Sequence, residues 1–161
     1  MARHPGRPHR HVSFASPTLR ITERQHRRIL AHCYDGLPDE ACGLLAGPVD
    51  GRDEPTGVVS AVYPCRNAEA SARTYTVDSR DLITAMRDAE SRGDQLIGVF
   101  HSHTHTVAYP SPTDVEQAME PAWLYVIVSL KDGEPVLRSY RIRAGEIAEV
   151  AVVLERSVTS S

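Results

Sequence analysis

The stretch QLIGVFHSH, Gln95–His103, followed after seven residues by SPTD, Ser111–Asp114, decides how this chain is read. An apolar run ending in two histidines reads as a central strand. Side chains alternate along a strand, so His101 and His103 share a face, roughly 6–7 Å apart along the chain. Two imidazoles converging from one strand end supply half of a tetrahedral zinc site, and Asp114 can add a third ligand. A catalytic zinc keeps its fourth position for water and brings that water's pKa towards about 7. Glu40 is the best candidate to take the proton. It stands at the start of the apolar run Ala41–Ala46, where partial desolvation raises a carboxyl pKa towards the range of a proton shuttle. Ser111 can offer a hydroxyl to a developing oxyanion. Each piece alone has a plainer reading. Ser111–Asp114 is a good helix start, with a serine N-cap, proline at N1 and an acid near the dipole. Glu40 alone is a solvated loop acid, and a lone His-x-His is two polar residues. Cap and ligand roles are compatible, because Ser111 can begin the helix while Asp114 turns towards a metal.

Outward from this stretch the chain alternates between helical and extended signals. Thr22, with Gln25 three residues on, forms a capping-box pattern for a helix to about Tyr34, ended by Asp35-Gly36-Leu37-Pro38. Ala41–Ala46, stopped by Gly47-Pro48, is too short for a helix and reads as a buried strand. Val49–Thr56 is a polar loop, and Gly57–Tyr63 is β-branched and extended. Tyr75–Val77 reads as a short strand, after which Asp78 caps a helix to about Arg92 with Leu82, Ile83, Met86 and Ala89 on one face. Downstream, Trp123–Leu130 is a strand, and Asp132-Gly133 signals a hairpin into Val136–Arg143. A turn at Ala144-Gly145 precedes a last strand, Ile147–Leu154. The order fits an α+β domain with a mixed, mostly antiparallel sheet flanked by helices.

Composition sets the frame. The 161 residues suffice for one domain with a real core, and 41% apolar with 24% charged residues is ordinary for a globular protein. Three cysteines, Cys33, Cys42 and Cys65, are odd in number and form no C-x-x-C pair, which fits reduced thiols and a cytoplasmic location. No apolar run approaches the roughly 18 residues that span a bilayer, and the N-terminus has no apolar signal segment, so no membrane role is expected. Residues 1–20 hold four arginines, three histidines and no acid, leaving 14 basic against 21 acidic groups, a formal −7, in residues 21–161. An acidic body repels phosphate and argues against nucleic acid as a partner. Residues 1–17, basic and interrupted by proline, read as a disordered tail, 18–156 as the domain, and 157–161 as a flexible C-terminus.

Glu40-Ala41-Cys42-Gly43, followed by His101-Ser102-His103, seven residues and Ser111-Pro112-Thr113-Asp114, resembles the JAMM (MPN+) zinc metalloprotease pattern. The resemblance covers roughly Leu19–Leu154. It implies a JAMM/MPN, cytidine-deaminase-like fold and one zinc per chain, with His101, His103 and Asp114 as ligands. Glu40 would be the base that activates the water and Ser111 the oxyanion stabiliser. Thr104 stands where the family often has proline, with no expected effect on the chemistry. His105 reads as a loop histidine near the site mouth, with a spare-ligand role as the alternative. Cys42 reads as a small core residue.

The family cleaves amide or isopeptide bonds after the C-terminal glycine of ubiquitin or ubiquitin-like β-grasp proteins. Only 60 residues separate Glu40 from His101, and no long loop follows Asp114, so the frame resembles bacterial members. Ala108–Ser111, Trp123–Ser129 and Leu137–Ile142 are similar to bacterial hydrolases that release cysteine from a sulfur-carrier protein. The implied partner is a β-grasp carrier ending in Gly-Gly, its tail added beside an exposed sheet edge. A deubiquitinase-like isopeptidase is the nearest alternative. A non-catalytic MPN scaffold is another, although every ligand position here is filled. A DNA-associated protein of a related fold has only the basic tail in its support.

Overall fold

Thr22 begins the first helix as its capping-box spacing predicts: its hydroxyl accepts from the Gln25 amide, and the Gln25 side chain accepts from the Thr22 amide. The computed structural model describes residues 17–156; the expectations for the tail before Pro17 and for residues 157–161 lie outside the described residues. The elements are β1 (Leu19–Thr22), α1 (Glu23–Asp35), β2 (Cys42–Gly47), β3 (Ala61–Cys65), α2 (Ser79–Ser91), β4 (Gln95–His103), α3 (Pro112–Gln117), β5 (Leu124–Ser129), β6 (Val136–Arg143), β7 (Glu146–Val150) and β8 (Val152–Glu155). Six strands form one sheet in the order β3-β2-β4-β5-β6-β7, and β1 pairs with β8 in a second, two-stranded sheet. In the large sheet only β4 and β5 run parallel, so the sheet is mixed and mostly antiparallel. No helix among the described residues is long and apolar enough to cross a membrane.

The parallel pair fixes where the functional residues meet. Parallel neighbours need a crossover connection, and here it carries α3 from the carboxyl end of β4 back to the start of β5. The N-terminus of α3 therefore lies beside the last residues of β4.

Two apolar layers sandwich the sheet. On one face Leu45, Phe100 and Val126 pack with Ile29 and Cys33 of α1 and with Leu19 and Ile21 of β1. On the other, Leu44, Val99 and Ile127 pack with Ala85 of α2. Strict alternation would put Val99, His101 and His103 on the face of Ile97. Instead Ile97 belongs to the first layer and Val99 to the second. The cause is a bulge: Ala46 pairs with Leu96 and Leu45 with Gly98, leaving Ile97 without an opposing residue on β2. Gly98 allows the crowding beside it, since a Cβ there would meet the Leu124 carbonyl oxygen at 2.4 Å.

Several expectations need correction. The predicted strand Gly57–Tyr63 is divided: Val58 bridges to Arg20 of the small sheet, and the strand of the large sheet begins at Ala61. Pro64 lies inside β3 because that strand is at an edge. Tyr75–Val77 is no strand; Val77 makes one isolated bridge, to Asn67. The single predicted strand Ile147–Leu154 breaks at Ala151, where the chain leaves the large sheet and β8 runs parallel to β1. β1 itself is too short to register as a pattern. On α2 the buried residues are Ala85 and Ala89, whereas Ile83 and Met86 are 44% and 42% exposed. Alanines bring the helix close to the sheet and turn the larger side chains outward.

β2 is pressed against its neighbours at Gly43, where a Cβ would meet Phe100 Cζ at 2.2 Å and the Tyr63 carbonyl oxygen at 2.6 Å. Gly43→Ala is expected to destabilise the fold by about 1–3 kcal/mol, the usual cost of overpacking. Urea unfolding measures this, and an unchanged midpoint would contradict the packing described.

Candidate metal centre and active site

His101 and His103 close β4 with buried rings on the α2 side of the sheet, and Ser111 caps α3 beside them. The cap is reciprocal. Ser111 Oγ accepts from the Asp114 amide at 3.1 Å, and Asp114 Oδ2 accepts from the Ser111 amide at 2.9 Å. That bond aims the carboxylate at the histidines. Asp114 Oδ2 lies 3.2 Å from His101 Nε2 and 3.0 Å from His103 Nε2, and the two nitrogens are 3.1 Å apart. Three donors about 3.3 Å apart are what a tetrahedral ion with bonds of 2.0–2.1 Å requires.

The tautomer of His103 sharpens the fit. Its Nδ1–H donates to the Val107 carbonyl at 2.8 Å, so in the neutral ring Nε2 carries a lone pair. A lone pair, a second imidazole nitrogen and a carboxylate oxygen thus face one point, an arrangement that a cation neutralises. The titration shifts express the same concentration of negative density. Burial disfavours the imidazolium at His103, but Asp114, the Val107 carbonyl and Glu40 outweigh it and raise its pKa. Burial opposes ionisation of Asp114, yet its bonds to His101 and His103 hold its carboxyl well below the usual carboxylate range. His101 is lowered by complete burial.

Glu40 is 4% exposed and offers a carboxylate oxygen that lies, with the two imidazoles, in a group whose ligand atoms are all within 4.8 Å of one another. Burial pushes its pKa up to about 7; His103 opposes this, while Asp114 and Glu69 add to it. Its backbone is held on both sides: its amide donates to the Ser71 carbonyl at 2.7 Å, and Asn67 Nδ2 donates to its carbonyl at 2.9 Å. The next amide, Ala41, donates to Ser102 Oγ at 2.8 Å, tying Glu40 to β4 between the two histidines. Glu40 Oε2 and His101 Nδ1 are buried and have no hydrogen-bond partner among the described residues.

His101, His103 and Asp114 meet at one point, Glu40 lies beside the two imidazoles, and Ser111 adjoins them as the cap bonded to Asp114. His105 does not: β4 ends at His103, and His105 is exposed in the bend that follows. Cys42 pairs in register with His101 but is buried, and burial pushes its thiol up to about 12. The Tyr75 ring, stacked on His101 with centroids 4.3 Å apart, belongs to the site and gave no signal in the sequence. Nor did Asn67, whose contacts are set by a loop. Thr104, at the position often held by proline, donates to the Ala72 carbonyl at 3.2 Å and ties that loop to the end of β4.

Comparison with known proteins places this geometry in context. The model of the Prok-JAB family, prokaryotic homologs of the JAB domain, matches residues 22–143. The CysO-cysteine peptidase of Mycobacterium tuberculosis is 43% identical over 125 residues, 77% of this chain and 82% of that protein. The desampylase of Haloferax volcanii is 34% identical over 145 residues, 87% of this chain and 99% of that protein. A solution structure of a protein from Desulfitobacterium hafniense superposes with a TM-score of 0.78 at 36% identity, covering 88% of this chain and 96% of that one.

The three thiols are buried, and burial pushes each up to about 12. At pH 7 the native protein is expected to react with a disulfide reagent many times more slowly than in guanidinium, where all three thiols should titrate. Rapid reaction of one thiol in the native state would mean that a cysteine is available as a ligand or nucleophile.

Proposed function

Because the chain belongs to the Prok-JAB family, the prokaryotic branch of the JAMM/MPN+ proteins, we propose that it is a zinc peptidase acting on a ubiquitin-like carrier. It hydrolyses the amide bond after the C-terminal glycine of a β-grasp sulfur-carrier protein ending in Gly-Gly and releases cysteine, in the cytoplasm and as a step of cysteine biosynthesis. Residues 18–156 form the catalytic domain. The observation that carries this reading is the triangle of His101 Nε2, His103 Nε2 and Asp114 Oδ2 with a buried Glu40 beside it. The peptidase relative, aligned over 82% of its length, supports the single amino acid as leaving group. The desampylase relative favours a second reading, removal of a carrier from protein conjugates.

Each residue has one task. His101, His103 and Asp114 hold the zinc, which supplies Lewis acidity when bound, polarising the scissile carbonyl and bringing the pKa of water towards about 7. Glu40, with its own pKa raised to about 7 by burial, takes the proton from the attacking water and returns it to the leaving amine. Ser111 Oγ is an acceptor in its cap and so keeps its hydrogen, which it donates to the developing oxyanion.

An apolar groove running from α2 to the amino end of β4 favours a protein as substrate. Exposed Ile83 and Met86 of α2, with Trp123, line a groove of about 610 Å³. A smaller one of about 170 Å³ shares Leu82 and Trp123 with it and extends to Tyr75 at the site. Glu90, Asp94 and Glu120 make the rim of the larger groove acidic, which suits the apolar body of a carrier bordered by basic residues and repels nucleic acid.

Glu40→Gln is expected to keep the bound metal and the fold while turnover falls by roughly 10²–10⁴. Metal content by elemental analysis and rates by intact mass test both halves; loss of metal would make Glu40 a ligand.

The substrate has a direct test, incubation with a β-grasp carrier ending Gly-Gly-cysteine. One residue should be trimmed, chelation should stop the reaction, and a carrier with valine for the penultimate glycine should be cut far more slowly. Equal cleavage of both, or cleavage of lysine-linked conjugates alone, would favour the second reading.

A further inference from the structure

We infer that Tyr75 is the positioning residue for His101: its ring, stacked flat on the imidazole, fixes the plane in which His101 offers Nε2 to the metal. The inference rests on the metal site proposed above and concerns a group outside the ligand and proton-transfer set.

A ligating histidine is ordinarily oriented by a hydrogen bond on its other ring nitrogen. His103 follows that rule through the Val107 carbonyl. His101 does not, since its Nδ1 is buried with no partner among the described residues. The outer torsion of a histidine is broad and does not by itself choose a ring plane. Packing must choose it: Tyr75 lies flat on the ring, with centroids 4.3 Å apart and planes 21° from parallel, and His103 meets it edge-on. Asp114 and His103, in contact with Nε2, then select which edge of that plane faces the metal.

Tyr75 is in turn held by Asn67. Asn67 Nδ2 donates to the carbonyls of Thr74 at 3.0 Å and Glu40 at 2.9 Å. Its Oδ1 accepts from the amides of Thr76 at 3.0 Å and Glu69 at 3.1 Å. The carboxamide thereby fills both donor and both acceptor positions. One side chain therefore ties the backbone of Glu40 to the loop that brings the aromatic face onto His101. The role belongs to the ring and not to the hydroxyl, which separates it from ordinary loop packing.

The test uses the full chain loaded with Zn²⁺, its affinity measured against a chromophoric chelator, and with Co²⁺, read by its visible d–d absorption. Tyr75→Phe should match the parent within about twofold in affinity and reproduce its Co²⁺ spectrum. Tyr75→Leu, which removes the flat face, should bind Zn²⁺ about 10–100-fold more weakly, the usual range for a group that orients a ligand. Its Co²⁺ spectrum should shift, which a loss of packing that left the His101 plane in place would not produce. Parental affinity and spectrum in Tyr75→Leu would overturn the inference. Should that variant not fold, Tyr75→Met is read in the same way. Failure of the parent chain to bind either metal is a separate result and would sink the metal-site reading itself.

Discussion

Two imidazole nitrogens and a carboxylate oxygen, each within 3.2 Å of the others in a buried corner, form the constraint around which this domain is arranged. Such a set is costly to bury, because lone pairs and negative charge are withdrawn from water and the Ser111 amide compensates only part of them. It persists only if every member is held by something else. Asp114 is held by the cap of α3, His103 by the Val107 carbonyl, and Glu40 by bonds to Ser71, Asn67 and, through Ala41, Ser102. The parallel pairing of β4 and β5 forces the crossover that carries that cap to the end of β4.

The two faces of the sheet divide the labour. One is closed by α1, β1 and β8 over a mainly apolar layer and contributes rigidity. The other carries α2, α3 and the functional corner, and its helix approaches closely through Ala85 and Ala89. The same close approach leaves Ile83 and Met86 facing outward, so the packing that secures the sheet also creates an apolar surface along α2.

Much of this was legible in the sequence, for reasons that can be assigned residue by residue. Thr22 and Gln25, Asp78, and Ser111 with Asp114 mark helix starts through local bonds that need no tertiary context. The five site residues were legible because their chemistry and spacing are jointly constrained. What was missed depends on partners distant in sequence. Val58 reads as a continuation of its own strand until Arg20 claims it, and Ala151 looks like mid-strand until Leu19 bonds to its carbonyl. The α2 pattern offered Ile83 and Met86 as core, but the helix faces the sheet through Ala85 and Ala89, with Leu82 half-buried beside them. Tyr75 and Asn67 sit in a loop without periodicity, where only the assembled site gives them meaning.

The unpaired Ile97 has a consequence for how the histidine pair can be moved or copied. On β4 the parity of a residue is counted from the bulge and not from the strand's first residue. Deleting Ile97 would leave Leu96 opposite Ala46 and Gly98 opposite Leu45, so both imidazoles would stay on the α2 side. Losing one residue between the bulge and His101 would instead turn them into the layer lined by α1 and exchange them for Ser102. The motif therefore carries no address of its own. A graft of these three residues onto a regular strand would reproduce the letters and, in half of all registers, point them at the wrong core.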